Sequence, residues 1–396
     1  MSVFVIPIII VGLLANHGQV DLKSSIEAPF RETDHAIIID AVVNGKRASF
    51  MLDTGFGGWL VLSDQIKVGK PSGTAQLRDF VGTLSATTVE LKSLEIGDLK
   101  ITKPSGDIIQ QPLGDLTLSY GTHCDGIMGL SPLKDYVTEI NFEKKKLIFH
   151  PKSLDISKKT PDNQKTFLLK MEPRGFNSIE LRSEVNGHPV FMALDTGNAF
   201  YVTTHKEVLE RVGLWDPKQK PKYVFEAWVA SGPVDTFYVW IKEAKIFGVP
   251  VKNSIWDVID LPSSSVEDDG TVGFGFLKNF NIIMDFERRY VWLENFSGKV
   301  ANEPIGEPGI RIGYSDSGRF VVRHVYPGSP ADLAGIKEDD VVLAVDGKSL
   351  SMVKPKEIRN LIQGTPGSKV KLAISREGML QRFEVERVIL ANGSPG

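Results

Sequence analysis

The chain carries the same short hairpin and acidic turn twice, and this duplication constrains its fold more than any other feature of the sequence. Asp-Thr-Gly occurs at residues 53–55 and again at residues 195–197, 142 residues further on, each time directly after an apolar run. An Asn-Gly pair precedes each turn at the same spacing, at residues 44–45 and 186–187. Because Asn-Gly between apolar segments favours a two-residue β-turn, each acidic turn is predicted to end the second strand of a hairpin.

A second pair of matches follows in the same order. Asp-Gly-x-x-Gly occurs at residues 125–129 and 269–273, and a hairpin-like pattern follows each copy, at residues 140–149 and 284–293. Four matches in one order indicate two related units of about 110–120 residues each. Alternating apolar and polar residues within both units predict strands rather than long helices.

The overall composition describes an ordinary globular protein. Of the 396 residues, 42% are hydrophobic and 24% are charged, with a formal net charge of −3. No large basic excess is present, so nucleic acid is not expected as a partner. The seven histidines show no metal-ligand spacing, and no metal or organic cofactor is expected. The single cysteine, Cys124, is interpreted as a packing residue.

The amino terminus is almost wholly apolar from Val3 to Ala15. A run of this length fits the core of a signal peptide, predicted over residues 1–20, and is shorter than the roughly 20 residues that cross a membrane. The prediction is export to the periplasm or the exterior, with no transmembrane span in the mature chain. No basic residue precedes the run, so a cytoplasmic location is the alternative.

Each acidic turn places a carboxyl group at the end of an apolar strand, where burial raises the pKa of an aspartate. Two such carboxyl groups that face each other share one proton, because both cannot ionise easily at short range. The ionised group can activate a water while the protonated group donates to a carbonyl oxygen. This chemistry suits amide hydrolysis without a covalent intermediate.

The two turns, together with the glycine segments at residues 127–129 and 271–273, resemble those of aspartic proteases. More narrowly, the chain resembles a retropepsin-like protein with both lobes in one chain. The resemblance implies a mainly β, two-lobed acid-protease β-barrel fold, with lobes at residues 30–150 and 166–296 and a linker at residues 151–165.

The resemblance also implies a catalytic dyad of Asp53 and Asp195. The residues expected to support the dyad are Thr54, Gly55, Thr196, Gly197 and Asn198. The positions after the glycines depart from the family pattern, because Phe56 and Asn198 stand where small or hydroxylated residues are usual. Asn198 can hydrogen-bond near the dyad, whereas the side chain of Phe56 cannot.

Aspartic proteases cover their cleft with hairpin flaps, and each unit has a hairpin pattern in the corresponding place. The first, residues 78–91, has its tip near Gly82, and the second, residues 225–240, has its tip near Gly232. Phe80 and Trp228 either line substrate pockets or are ordinary core residues, and the sequence does not decide between the two.

The segment at residues 326–350, YPGSPADLAGIKEDDVVLAVDGKSL, resembles PDZ domains of bacterial proteases. A small α+β PDZ domain is therefore predicted at residues 309–391, after a linker at residues 297–308. PDZ domains take up a peptide as an added strand and hold its carboxylate in a backbone nest. The nest is predicted at Gly309, Ile310, Arg311, Ile312 and Gly313. The facing helix residues are Ile358, Leu361 and Ile362, whose spacing fits a core equally well.

These features together predict an aspartic endopeptidase that hydrolyses peptide bonds through its Asp–Asp dyad. The PDZ domain is expected to recruit or position peptide or unfolded protein substrates. Because one chain supplies both aspartates, a monomer should suffice for activity. The alternative is a non-catalytic peptide-binding or scaffold protein that acts through the PDZ domain.

Overall fold

The protein is mainly β, as the sequence predicts, and its carboxy-terminal strands form a sheet of their own. The fold is taken from a computed structural model of the chain. The residues that the structure describes are 9–10, 22–78, 83–104, 108–113, 120–173, 178–229, 232–260, 269–300, 304–315, 317–354 and 357–393.

The amino-terminal segment and the first unit contain strands β1 to β13. Their bounds are β1 Ile9–Ile10, β2 Ile26–Glu32, β3 Ile37–Val43, β4 Lys46–Leu52, β5 Leu60–Ser63, β6 Pro71–Arg78, β7 Thr83–Val89, β8 Ser93–Ile96, β9 Leu99–Thr102, β10 Ile108–Gln111, β11 Gly126–Met128, β12 Val137–Asn141 and β13 Lys146–His150. Two 3-10 turns are described here, Ser131–Leu133 between β11 and β12 and Ile156–Lys158 after β13.

The second unit contains strands β14 to β23 and two short helices. Their bounds are β14 Thr166–Lys170, β15 Glu180–Val185, β16 His188–Leu194, β17 Val202–His205, α1 Lys206–Arg211, β18 Phe225–Val229, β19 Gly232–Ile246, β20 Val249–Ile259, β21 Gly270–Val272, α2 Phe274–Leu277, β22 Phe280–Asp285 and β23 Tyr290–Asn295.

The carboxy-terminal part forms a separate sheet with two helices. Its elements are β24 Ile310–Tyr314, β25 Phe320–Val325, α3 Pro330–Leu333, β26 Val341–Val345, β27 Lys348–Ser349, α4 Ile358–Ile362, β28 Lys369–Arg376 and β29 Met379–Glu386. The main strand order is β24-β25-β26-β28-β29, so β24 lies at an edge of this sheet.

The Asn-Gly pairs form the hairpin turns predicted from the sequence. Asn44 and Gly45 have φ values of 48° and 80°, and Asn186 and Gly187 have φ values of 50° and 76°. Positive φ at both central residues is the geometry that matches the twist of the flanking strands. The turns fix the register of β3 with β4 and of β15 with β16, and each second strand leads directly into an acidic turn.

The strand after each Asp-Gly pair is inserted beside an acidic turn in the same way. In the first unit, β11 lies between β4 and β5, parallel to β4 and antiparallel to β5. In the second unit, β21 lies between β16 and β17, parallel to β16 and antiparallel to β17. The two units therefore hold their acidic turns by the same strand pairings.

The closing hairpins of the two units join in one sheet. Strand β12 pairs with β13 on one side and with β22 on the other, with Thr138 opposite Met284. The order β2-β13-β12-β22-β23-β14 therefore continues across both units. A large apolar cluster spans the two units, whereas the PDZ domain has an apolar core of its own.

Within the part of the chain that the structure describes, no helix is both long and apolar enough to cross a membrane. Of the predicted signal segment, the structure describes Ile9–Ile10, which pair with Leu77 and Arg78 of β6. The rest of residues 1–20 lies outside the described residues, so the signal peptide stays a prediction.

Candidate functional site

Asp53 is held by backbone donors at the end of β4. Its own N–H donates to the carbonyl of Met128, and its Oδ1 accepts from the N–H groups of Gly55 and Phe56, both at 2.9 Å. The residue is fully buried. Two donors on Oδ1 orient the carboxyl group and leave Oδ2 without a hydrogen bond to another described residue.

Asp195 is held in the same way at the end of β16. Its N–H donates to the carbonyl of Val272, and its Oδ1 accepts from Gly197 N–H at 2.8 Å and from Asn198 N–H at 3.1 Å. It too is fully buried. The local repeat seen in the sequence therefore extends to the hydrogen bonds around each carboxyl group.

The two turns pack directly against each other. A Cβ atom added to Gly197 would lie 2.4 Å from Cγ of Asp53, so only glycine allows this approach. The hydroxyl of Thr54 donates to the Leu194 carbonyl at 2.8 Å, and that of Thr196 donates to the Leu52 carbonyl at 2.7 Å. These bonds run between the units and bring the two carboxyl groups together.

Burial raises the pKa of Asp53 to about 6, against the lowering effect of the Asp195 carboxyl and of the two N–H donors. Burial, and then the negative charge of Asp53, raise the pKa of Asp195 well above its usual range. The Oδ2 atoms of both residues are buried and make no hydrogen bond to another described residue. The pair can thus keep one shared proton near neutral pH. One carboxyl group can then donate a hydrogen bond while the other accepts one.

The residues after the two glycines differ in character. Phe56 is fully buried in an apolar cluster with Val61, Ile109 and Ile127. Asn198 is also fully buried, but its side-chain amide donates to the hydroxyls of Thr203 and Thr271. Asn198 therefore forms hydrogen bonds beside the pair through both backbone and side chain, whereas Phe56 contributes only its backbone N–H.

Of the residues predicted to belong to flaps, Phe80 and Gly82 lie outside the described residues. Strands β6 and β7 on either side of them pair antiparallel as a hairpin. In the second unit, Trp228 lies in β18 opposite Pro233, and Gly232 lies opposite Val229 in β19. A flap role for these residues stays a prediction.

The predicted PDZ nest begins at Gly309, which has a φ of +90°, and continues as edge strand β24. Ile310, Ile312, Ile358 and Ile362 are buried in the PDZ core, and Leu361 is half-buried against it. These side chains therefore pack in the core, which is one of the two roles that their spacing in the sequence allows. Pairing of a peptide strand with this edge stays a prediction.

The PDZ domain also contacts the second unit, which the sequence does not predict. The ring of Phe225 in β18 lies 4.5 Å from that of Tyr238 and 4.6 Å from that of Tyr326 in the PDZ domain, measured between centroids. Asn392 exchanges backbone hydrogen bonds with β19, accepting from Trp240 N–H at 2.8 Å and donating to the Tyr238 carbonyl at 2.7 Å.

Sequence reasoning also missed Asp257, a buried acid within strand β20. The signal was present, since an aspartate interrupts the apolar run Ile255 to Ile259. Among the described residues, no group of three or more His, Cys, Asp and Glu side chains has a geometry that could hold a metal ion.

Comparison with known proteins identifies the carboxy-terminal part. The PDZ domain family matches residues 321–376. The carboxy-terminal processing protease CtpA of Bacillus subtilis (strain 168) is 40% identical over 62 residues, which are 16% of this chain and 13% of that protein. The solved photosystem II D1 C-terminal processing protease is 25% identical, with a TM-score of 0.22, over 22% of this chain and 24% of its own.

The match to a carboxy-terminal processing protease contradicts the function predicted from the sequence. The prediction is an aspartic endopeptidase in which a dyad of Asp53 and Asp195 activates water. The matched relative agrees with the protease and PDZ parts of that prediction and conflicts with the dyad mechanism. A turn motif describes local geometry and does not by itself fix a reaction, so the assignment made from resemblance is withdrawn.

The chain spans only 13% of the length of this curated relative. The similarity therefore covers a part of each protein and gives the identity of one domain. Residues 321–376 of this chain form a PDZ domain.

Proposed function

We propose that this chain is a peptidase in which the PDZ domain binds a protein substrate and the carboxyl groups of Asp53 and Asp195 lie at the site where that substrate is held. The observation that carries this proposal is the contact of two buried carboxyl groups from separate turns. The relative named above supports the peptidase part, because it is itself a carboxy-terminal processing protease.

The electrostatics of the pair suit a peptide bond. A peptide bond offers a carbonyl oxygen that accepts a hydrogen bond and a nitrogen that gains a proton when the bond breaks. The raised pKa values of Asp53 and Asp195 keep a proton available at the site near neutral pH. Their Oδ2 atoms make no hydrogen bond within the described structure and are the atoms we expect to meet the substrate.

The strand pairings support a two-lobed arrangement similar to that of retropepsin-like proteins. In this proposal the lobes are residues 30–150 and 166–296, and the PDZ domain extends over residues 309–391. The equivalent insertion of β11 and β21 beside the two acidic turns is the supporting observation. Both carboxyl groups come from one chain, so a monomer is proposed to be sufficient.

The PDZ domain is proposed to bind its peptide along β24, with a terminal carboxylate near Gly309. This edge lies beside the β18–β19 hairpin, since Arg311 of β24 approaches Glu226 of β18 to 4.0 Å. A peptide on β24 therefore starts next to the hairpin that is proposed to cover the second unit. Export, as in the signal-peptide prediction, would give access to extracytoplasmic proteins.

The test is cleavage of fluorescein-labelled casein by the full chain between pH 4 and pH 8. Asp53→Asn and Asp195→Asn should each abolish cleavage while unfolding like wild type in urea. Asp285→Asn is the matched control, because Asp285 is equally buried but bonds Arg288 away from the pair. This control should keep wild-type cleavage.

Treatment with a fluorophosphonate that modifies reactive serines provides the second arm. Inactivation by the reagent, together with full activity of Asp53→Asn and Asp195→Asn, would place the reacting group elsewhere and overturn the assigned site. Absence of cleavage by folded wild type at every pH would overturn the peptidase proposal itself.

A further inference from the structure

A serine, a histidine and a glutamate are joined by hydrogen bonds on the sheet that runs through both units. The Oγ atom of Ser25 lies 2.8 Å from Nδ1 of His150, and Nε2 of His150 lies 2.9 Å from Oε2 of Glu139. The side-chain amide of Asn141 donates to Oε1 of the same glutamate at 2.7 Å. Four side chains are therefore bonded in a row, from the amide to the serine hydroxyl.

The strand pairings bring these residues together from distant parts of the chain. His150 ends β13 and stands opposite Val137 of β12, and Glu139 lies two residues further along β12. Side chains two residues apart in a strand point to the same face, so His150 and Glu139 share a face of the sheet. Ser25 directly precedes β2, which pairs with β13 on the side away from β12. The histidine thus lies between the serine and the acid.

The carboxylate decides which nitrogen of the histidine carries the hydrogen. Burial alone would raise the pKa of Glu139, but hydrogen bonds from His150 and Asn141 lower it below its usual value. An ionised carboxylate only accepts hydrogen bonds, so Nε2 of a neutral His150 carries the hydrogen and Nδ1 presents a lone pair. The hydroxyl of Ser25 then donates to Nδ1. Nucleophile, base and orienting acid are arranged in this order wherever a serine is activated by a histidine.

Exposure differs along this row in the way that a reacting site requires. The side chains of His150 and Glu139 are 16% and 14% exposed, whereas Ser25 is an exposed residue. The base and the acid are therefore shielded, while the hydroxyl is open to a substrate. By contrast, His324 bonds Glu338 at 3.0 Å with both side chains exposed.

The hydrogen bond of Ser25 is not needed to hold β2 in the sheet. Backbone pairing already joins β2 to β13 on one side and to β3 on the other. An exposed hydroxyl exchanges its partner for water at little cost, so this bond adds little stability. Removal of the hydroxyl should therefore leave the fold intact, and its chemistry can be tested separately.

The surface next to the histidine is apolar. Val137, directly opposite His150, packs in a cluster with Ile156 and Trp292, against which Leu154 is partly buried. Apolar surface favours an uncharged acyl group over a charged one. An ester is the matching functional group, because its alcohol leaves more readily than the amine of an amide.

We propose that Ser25, His150 and Glu139 form a second reactive site, separate from the acidic turns, at which the Ser25 hydroxyl takes the acyl group of an uncharged ester. Oγ attacks the ester carbonyl carbon, and its proton passes to Nδ1 of His150 while Glu139 holds the Nε2 hydrogen. The bond from this carbon to the alcohol oxygen breaks, and the alcohol leaves with that proton. A water then gives a proton to Nδ1 and its oxygen to the acyl carbon. The carboxylic acid departs as Ser25 recovers the proton.

The first test is labelling of the full chain with a fluorophosphonate, which forms a phosphonyl ester with an activated serine and releases fluoride. Peptide mapping should place the adduct on Ser25. His150→Gln and Glu139→Gln should each slow labelling about 100-fold, because a positioned base contributes a factor of that order. Ser24→Ala, at the exposed neighbouring serine, and His324→Gln, at the exposed histidine, are the controls. Both should label at the wild-type rate.

Hydrolysis of p-nitrophenyl butyrate by the same proteins tests acyl transfer. Ser25→Ala should abolish the catalysed release of p-nitrophenol, and His150→Gln should lower it about 100-fold. Urea unfolding of both variants should match wild type, which separates lost chemistry from lost folding.

A cysteine variant keeps the site testable if a histidine variant does not fold. Ser25→Cys places a thiol beside Nδ1 of His150, where it should react with iodoacetamide about tenfold faster than the thiol of Ser24→Cys. The natural cysteine, Cys124, is 1% exposed and does not compete. Equal reaction of the two introduced thiols would overturn the site.

Two labelling outcomes would also overturn it: no adduct on Ser25 in folded wild type, or equal labelling of wild type and His150→Gln. Casein cleavage by the same proteins separates this inference from the peptidase function, on which it does not rest. Acylation of Ser25 without casein cleavage by wild type would support the second site and overturn the peptidase. Loss of casein cleavage in Ser25→Ala, with full cleavage by Asp53→Asn and Asp195→Asn, would support the nucleophile and move the peptidase reaction to it.

Discussion

Thr54 and Thr196 exchange hydrogen bonds across the two units. The N–H of Thr54 donates to Oγ1 of Thr196 at 3.1 Å, and the N–H of Thr196 donates to Oγ1 of Thr54 at 3.0 Å. Each hydroxyl also donates to a carbonyl of the opposite unit, Leu194 or Leu52. Four buried hydrogen bonds therefore tie one acidic turn to the other and set how the carboxyl groups meet.

Thr54→Val should destabilise the protein and lower casein cleavage. The change keeps the shape of the side chain but leaves the Leu194 carbonyl and the Thr196 N–H without partners. Two unpaired buried groups predict a loss of about 2–4 kcal/mol in urea unfolding. Thr138→Val is the matched control, because Thr138 is equally buried and donates once to the Leu133 carbonyl. The control should leave cleavage unchanged, and an equal cleavage loss in both variants would contradict the prediction.

Gly197→Ala should displace the Asp53 carboxyl group. The added methyl would lie 2.4 Å from Cγ of Asp53, so the turns must separate. A displacement of about 1 Å at the proposed site predicts a cleavage loss of about 100-fold.

Gly187→Ala provides the comparison for this change, because nothing lies within 4 Å of the added methyl at that hairpin tip. Its positive φ should cost about 1–2 kcal/mol of stability. Cleavage per folded molecule should remain at the wild-type rate. A Gly197→Ala protein with wild-type cleavage would show that the two turns do not need their close approach.

Asp257→Asn should change how stability depends on pH. Burial raises the pKa of Asp257 from its ordinary value of 3.8 to about 7, with the Thr236 and Thr203 hydroxyls opposing the rise. The folded protein thus favours the protonated acid, and its contribution to stability is present below about pH 4 and lost as pH rises through 7. Tyr238 of β19 and His205 of β17 are titratable neighbours that the substitution leaves in place.

The measurement is urea unfolding at pH 4 and pH 8. Relative to wild type, Asp257→Asn should gain about 4 kcal/mol between these pH values, as the pKa difference requires. Asp40→Asn is the control, since the Asp40 side chain is largely exposed in a surface ion pair with Arg31. A stability difference for Asp257→Asn that does not vary with pH would contradict the raised pKa.

Asn392→Ala should loosen the PDZ domain from the second unit. The Asn392 side chain accepts from Lys222 N–H at 2.8 Å and donates to the Tyr238 carbonyl at 2.9 Å. Loss of these two hydrogen bonds should speed hydrogen exchange at residues 222–229 and around Tyr238 by about tenfold. Asn360→Ala, at an exposed position of α4, should leave that exchange unchanged. Equal exchange in both variants would show that Asn392 does not hold the contact.

The sequence predicts the acidic turns well because their causes are local. Asn-Gly sets each hairpin, the apolar run buries the strand, and the repeat places both aspartates in equivalent settings. The order of strands within each unit follows from the same repeat. The identity of the PDZ domain is also confirmed, because its turn and helix residues occur together over a short segment.

The remaining features depend on contacts between residues far apart in the chain. The ring contact of Phe225 with Tyr326 and the bonding of Asn392 to β19 arise only after the sheet of the second unit and the carboxy-terminal sheet have packed. The hydrogen bonds of Asn198 with Thr203 and Thr271 join residues that share no sequence pattern. The reaction is the least predictable property, since the carboxyl pair fixes a geometry and the comparisons contradict the mechanism inferred from it.

The presence of both acidic turns in one chain has a consequence for symmetry. In an assembly of two identical chains, one sequence must serve both halves, so Phe56 and Asn198 could not differ. When one chain contains both units, as here, that constraint is absent and the sequences of the two units can differ. Here the layer behind Asp53 is apolar, the layer behind Asp195 is polar, and the second unit contacts the PDZ domain. Under the proposed function, an extended peptide that crosses the paired turns therefore meets unlike surroundings at its two ends.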